Sequence, residues 1–342
     1  MEDRKLATVG VIRELQPIEG ADAIEVATVR AWKVVVKKGE FRIGGLCVYC
    51  EIDSVLPPRP EFAFLEKSKY RIKTIKLRGQ ISQGICFSMD ILPDFIRSMR
   101  IEELLGFDVT EILGVTKYEP PIPAQLAGKV KGYFPSFLKK TDEERIQNME
   151  WVLNEYPMEP FYVTEKVDGT SFTAYLNDGV FGICSRNLDL EETEDNTLWQ
   201  VARELDLERK MREYGYNIAL QGELLGEGIQ KNKYALKGHN VYFFNIFDID
   251  KYKYYDYDRF TERVFQFGLK IVPIVSPVAG YYLPKTMKEM LEYADDMSVL
   301  NPNIKREGIV VRPLNEIEHR RYGRISFKVI SNKFLLDKKN QE

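Results

Sequence analysis

Histidine is nearly missing from this 342-residue chain, which has only His239 and His319. So few imidazoles exclude a zinc site or acid–base pair built on histidine, and any metal must be hard and oxygen-bound. Cysteine is scarce too: Cys47, Cys50, Cys86 and Cys184 show no two-pair metal spacing. Cys47-Val48-Tyr49-Cys50 mimics a redox or zinc half-site, but it lies inside Leu46 to Ile52, which reads as a buried strand. No run of 18 apolar residues occurs, and Met1-Glu2-Asp3-Arg4-Lys5 lacks the form of a signal peptide. We therefore expect no membrane partner and a cytoplasmic or otherwise intracellular location. A net charge of −3 excludes a generally adhesive polycation.

What is present is the composition of a globular protein, 44% hydrophobic and 30% charged, at a length that suggests two domains. The first 118 residues hold short strand-like runs: Thr8 to Ile12, Ile24 to Val29, Trp32 to Val36, Leu46 to Ile52, Tyr70 to Leu77 and Gly84 to Phe87. Such a set predicts a small β-barrel of the OB type, a fold that commonly binds nucleic acid. Between Glu66 and Arg78 stand six basic residues, including Arg71, Lys73, Lys76 and Arg78, against Glu66 alone, a local charge of 6 − 1 = +5. They read either as phosphate contacts or as a lysine-guarded sheet edge.

Glu119-Pro120-Pro121-Ile122-Pro123 marks the expected boundary, with a linker over 119–140 leading into a second domain that runs to 342. Thr141-Asp142-Glu143-Glu144 reads as a capping box ahead of a helix with Ile146, Met149, Val152 and Leu153 on its apolar face. Phe161 to Lys166 and Ser171 to Leu176 read as antiparallel strands around an Asp-Gly turn. Leu198, Val201, Ala202 and Leu205 mark an amphipathic helix that ends before Gly215, and Val241 to Ile249 a strand buried on both faces. The tyrosine-rich run Tyr252 to Tyr257 reads as a hairpin.

Lys166-Val167-Asp168-Gly169 carries the chemistry. Alone, a Lys-x-Asp-Gly match arises by chance in about one chain in ten at ordinary residue frequencies. It is followed in order by Ser185-Arg186-Asn187, Glu223-Leu224-Leu225-Gly226, Phe247-Asp248, Glu307-Gly308-Ile309-Val310-Val311-Arg312 and Phe327-Lys328-Val329-Ile330-Ser331. In this order and spacing the chain resembles the covalent nucleotidyltransferases: ATP-dependent DNA and RNA ligases and mRNA capping enzymes.

The resemblance implies that Lys166 attacks the α-phosphate of ATP to form lysyl-AMP. It implies Phe247 stacked on adenine, Glu223 on the ribose or metal, Glu307 on the metal and Lys328 on the α-phosphate. Glu165, Gly169, Arg145 and Arg186 complete the nucleotide contacts, and Asp168, Glu223 and Glu307 would hold Mg or Mn. An amine of ordinary pKa is only about 0.04% unprotonated at neutral pH. The carboxylates alone push Lys166 the wrong way, so a divalent cation with Lys328 must reverse the local field.

Only 342 − 328 = 14 residues follow Lys328, too few for the C-terminal barrel of DNA ligases and capping enzymes. The chain therefore resembles ATP-dependent RNA ligases with an N-terminal OB-fold. That resemblance implies an α+β architecture, an OB-like barrel followed by a transferase domain of antiparallel sheets and helices. It implies a monomer that seals nicks in duplex RNA or RNA/DNA hybrids, with RNA at the 3′-OH side. A nucleotide-sensing RNA-binding module with a decayed transferase, and a capping-type guanylyltransferase, are the competing readings. Two positions depart from family patterns: Ile330 stands where many RNA ligases have a second lysine, with Lys333 a possible substitute, and Ser171 stands where one subgroup has Asn.

Overall fold

The computed structural model describes residues 5–118, 130–277, 280–320 and 322–336. The proline-rich segment Glu119 to Pro123 lies outside the described residues. The described residues form two compact units, one over 5–118 and one over 130–336.

In the first unit, the long strand Ala7–Pro17 serves two partners. Its first half pairs antiparallel with Leu46–Cys50 and its second half with Ile24–Val29, with an irregularity between Ile12 and Glu14 that bends it from one to the other. Ile24–Val29 turns back into Trp32–Lys37, and Leu46–Cys50 adds Ile85–Phe87 on its far side. Two bonds nearly close the sheet: Gln83 N–H donates to Lys33 O at 2.8 Å, and Val35 N–H to Ser82 Oγ at 2.9 Å. The result is an OB-like barrel around Val9, Ile12, Trp32, Val48 and Tyr49. Cys47 and Cys50 are buried free thiols on a barrel strand, as their apolar neighbours predict.

The basic segment differs from expectation. Instead of one strand over Tyr70 to Leu77, Pro60–Ser68 forms a 3-10 helix, and Lys69 and Tyr70 turn the chain with φ of 52° and 60°. Arg71 makes a single bridge with Val55, and Ile75–Leu77 pairs with Gln80–Ser82 across an Arg78-Gly79 turn whose two residues both have positive φ.

The described part of the second unit contains two large sheets and a two-stranded ribbon of Glu318–His319 with Gly323–Arg324. One has the order Glu144–Arg145, Phe327–Ile330, Gly308–Pro313, Phe161–Lys166. The larger runs through Val130–Tyr133, Leu188–Leu190, Val180–Cys184, Thr170–Asn177, Ile218–Gly226, His239–Asp248 and Lys253–Tyr254. Phe161–Lys166 and Thr170–Asn177 are therefore not a hairpin, because the Lys166–Gly169 turn carries the chain from one sheet to the other. The predicted capping box is not formed. Glu143 is taken by Arg312 at 2.7 Å, and Glu144–Arg145 pairs parallel with Phe327–Lys328. A 3-10 turn and the short helix Val152–Glu155 follow, still burying Ile146, Met149, Val152 and Leu153. The helix expected before Gly215 is two, Thr197–Glu204 and Leu207–Tyr214, broken at Asp206 with φ of 53°. The Tyr252 to Tyr257 run does make a hairpin, with Tyr254 opposite Phe247.

Candidate active site

Strand alternation assigns the two faces of the smaller sheet. Phe161, Val163, Ile309, Val311, Phe327 and Val329 point into one core cluster. The opposite face receives Thr164, Lys166, Val310, Arg312 and Lys328, because Lys166 pairs with Gly308, Thr164 with Val310, and Val310 with Lys328. Arg145 lies in register beside Lys328. Glycine is required beside Glu307: a Cβ at Gly308 would fall 2.2 Å from Val329 O. That close approach brings Glu307 Oε2 to 2.6 Å from Lys166 Nζ.

The larger sheet works the same way. Phe172, Leu220, Leu224 and Phe243 enter the core under the helices, while Ser171 and Glu223 pair across the other face. A Cβ at Gly169 would lie 2.3 Å from Leu224 O, so only glycine lets the Asp-Gly turn settle on this strand. In that position Gly169 N–H donates to Glu223 Oε1 at 3.1 Å, and Asp168 N–H to the Tyr234 hydroxyl at 2.8 Å. Lys233, which no motif marks, forms an ion pair with Asp168.

Lys166, Asp168, Glu223 and Glu307 thus form one cluster, and its electrostatics oppose nucleophilicity. Burial would lower the Lys166 pKa, but Glu307, followed by Glu223 and Asp168, holds it above the ordinary lysine value. Burial raises Glu223 to about 7, with Lys166 pulling it down and Glu307 pushing it up. Burial also raises Glu307, opposed by Lys166 and more weakly by Lys328. Among the described residues no three acidic, histidine or cysteine side chains converge as a ready-made ion cage. The donor set nevertheless suits a hard divalent cation: Glu223 and Glu307, both raised by burial, are short of positive charge, and Lys166 and Lys233 supply the only ion pairs to Glu307 and Asp168 among the described residues.

Beside the cluster opens a cleft lined by Thr164, Glu165, Lys166, Glu223, Phe244 and Arg312, among others. Glu165 Oε2 accepts from Val299 N–H at 2.7 Å, while its buried Oε1 has no protein partner. The two phenylalanines near the end of the strand His239–Asp248 sit differently. Phe247 is fully buried among Tyr175, Ala219, Tyr252 and Tyr254. Phe244, three residues earlier, lines the cleft with the Arg312 guanidinium 5.6 Å from its ring. An irregular register between Gln221 and Gly222, opposite Asn245 and Phe243, leaves Phe244 without a cross-strand partner and turns its ring to the cleft side.

Other expected residues are dispersed. Arg186 sits on an exposed turn and pairs with Asp142 at 2.6 Å, outside the cleft lining. Ile330 is buried, and Lys333 lies 3.7 Å from Asp295 on the surface. In the barrel, Arg71 pairs with Asp53 at 2.7 Å and stacks 3.6 Å over Tyr118, whereas Lys73, Lys76 and Arg78 are exposed. Arg312 stands in the Glu307 to Arg312 motif, but the sequence gives it no role. Its burial against Glu143 and Ser326 is a tertiary fact.

Known proteins give consistent matches. A model of an OB-fold domain matches residues 6–89, and an RNA ligase model matches residues 159–330. Solved structures of the Naegleria gruberi RNA ligase are similar over the whole chain. A glutamate-to-alanine variant with AMP and Mn is 41% identical with a TM-score of 0.88, covering 98% of this chain and 100% of that one. A lysine-to-alanine variant with ATP and Mn is 40% identical with a TM-score of 0.87, over 98% and 100%. The structure with PPi is 41% identical with a TM-score of 0.87, over 98% and 99%. No curated protein matches.

Proposed function

This chain belongs to the RNA ligase family and is an ATP-dependent RNA ligase, and we propose that it seals 3′-OH/5′-phosphate nicks in duplexes through AMP carried on Lys166. The observation that supports this most is the convergence of Lys166, Asp168, Glu223 and Glu307 at the mouth of a cleft that also holds an aromatic ring and an unpartnered carboxylate oxygen.

Lys166 Nζ attacks the α-phosphorus of ATP, forming the P–N bond as the bond to pyrophosphate breaks. Glu307, 2.6 Å from Nζ, lies within reach of the proton released. Arg145 and Lys328, in register on neighbouring strands, bring positive charge to the face that carries the nucleophile. A divalent cation held by Asp168, Glu223 and Glu307 would lower the Lys166 pKa and neutralise phosphate charge. Phe244 rather than Phe247 is the ring available to stack on adenine, and Glu165 Oε1 can accept from its exocyclic amine. AMP then passes to the 5′-phosphate of the nick, and the 3′-OH displaces it. Arg186, exposed on its turn, is available to that 5′-phosphate. Lys73, Lys76 and Arg78 are the barrel's phosphate contacts, with Arg71 fixing their segment. We further propose a monomer working in a reducing, intracellular compartment, in keeping with four free thiols.

Lys166→Ala should abolish label transfer from α-labelled ATP to protein while retaining some sealing of pre-adenylylated nicks. A labelled band of undiminished strength would remove Lys166 as the nucleophile. Sealing of duplexes nicked between all four RNA and DNA strand combinations tests the second half, with activity expected only where the 3′-OH strand ends in RNA.

A further inference from the structure

Each acid around the nucleophile has a protein partner: Lys166 on Glu307, Gly169 N–H on Glu223, and Lys233 on Asp168. The first two belong to the site as derived above. Lys233 does not, and its surroundings distinguish it from an ordinary surface ion pair.

Its backbone is fixed without help from its ammonium. Gln230, Lys231, Asn232 and Ala235 have φ of 44°, 58°, 44° and 52°, a left-handed run that side chains other than Asn resist. The Asn232 side chain holds this turn by bonding Leu236 twice, donating to its O at 2.9 Å and accepting from its N–H at 3.1 Å. Asn301 Nδ2 donates to Lys233 O at 3.0 Å, and the adjacent Tyr234 hydroxyl accepts from Asp168 N–H. The Asp-Gly turn is thus anchored by Tyr234 whether or not Lys233 holds the carboxylate. The Lys233 side chain keeps 21% of its surface exposed, and its ammonium lies 4.9 Å from the Phe334 ring, which offers a second seat.

We propose that Lys233 is an exchangeable counterion of Asp168: it neutralises the carboxylate in the nucleotide-free enzyme and yields to a divalent cation, so it sets the cation concentration at which Lys166 is loaded. The inference rests on the reading of Asp168 as a cation-holding residue. Lys233 is a positioning residue in this scheme and touches no reacting atom.

The test uses the full chain, Mn²⁺ alone without nucleotide, and electron paramagnetic resonance of free Mn²⁺. Lys233→Met should bind Mn²⁺ roughly tenfold more tightly than the parent, the size expected from removing one unit charge beside a doubly charged ion in a largely aqueous dielectric. The Mn²⁺ half-saturation of lysyl-AMP formation should fall in parallel, and Lys233→Arg should behave like the parent. Merely structural damage does not tighten ion binding. Unchanged or weaker Mn²⁺ binding in a folded Lys233→Met protein overturns the proposal. Asp168→Asn separates the premise: if it leaves Mn²⁺ binding unchanged, Asp168 does not hold the cation. If it weakens binding while Lys233→Met has no effect, the premise stands and the role of Lys233 falls.

Discussion

Phe244 and Phe247 stand three residues apart on one strand, and truncating each should produce opposite phenotypes. Phe247 is fully buried, with Tyr252 and Tyr254 ring centroids at 5.2 and 5.1 Å. Phe247→Ala should therefore cost about 3–5 kcal/mol of stability. For a unit of this size that is a melting point lower by roughly 10 °C, at about 2–4 °C per kcal/mol. Phe244 is only partly buried and faces the cleft, so Phe244→Ala should leave the melting point nearly unchanged. It should instead remove a stack on the nucleobase worth about 1–3 kcal/mol, raising the ATP half-saturation of lysyl-AMP formation by roughly 5- to 150-fold. Thermal melts and ATP titrations on both variants decide the matter. If Phe247→Ala melts normally but needs far more ATP, while Phe244→Ala does not, the ring assignment drawn from burial is wrong.

Three further outcomes follow from the same geometry. Glu165→Gln must turn its carbonyl toward Val299 N–H and its amide NH₂ into the cleft, facing the adenine amine, so ATP affinity should fall about 10- to 100-fold with a smaller loss for GTP; equal losses for both nucleotides would refute the contact. Glu223, with its folded pKa raised to about 7 from an ordinary 4.5, lends stability that is complete below the ordinary value and lost as pH rises through 7. Glu223→Gln should then gain on the parent in melting temperature as pH rises across that window, and parallel curves would contradict the shift. Reversing Lys73, Lys76 and Arg78 together should lower the salt slope of nick binding by about 2, at ~0.7 or more per lost phosphate contact; an unchanged slope removes them from the RNA path.

Legibility in the sequence followed the range of the forces involved. Barrel strands such as Ile24–Val29 and Leu46–Cys50 were readable because two-residue periodicity and burial are local consequences of the chain. The order of the motifs named the cluster of Lys166, Asp168, Glu223 and Glu307. Where a local signal competed with a tertiary partner, the partner won. Thr141 to Glu144 has the composition of a helix cap, yet Glu144 and Arg145 are drawn into strand pairing with Phe327 and Lys328, and the Glu144 carboxylate accepts from Arg145 N–H and Asn148 instead of capping a helix. The register irregularity that frees Phe244 has no sequence signature, since a bulge depends on the strand opposite. Lys233 was unreadable for a similar reason: its contact with Asp168 spans 65 residues and depends on a left-handed turn of ordinary composition.

The raised Lys166 pKa also constrains the order of events. In the nucleotide-free cluster the ammonium is held by Glu307, and both Glu307 and Glu223 are themselves raised by burial. Deleting a carboxylate would lower the Lys166 pKa yet remove a cation donor, so no single acid can be sacrificed to activate the lysine. Arriving positive charge resolves the conflict because it lowers the lysine and the acids together. Adenylylation should accordingly rise with pH at low cation concentration and lose that dependence as the cation saturates. A pH dependence that stays the same at every cation concentration would mean that the proton leaves Lys166 by a route this cluster does not control.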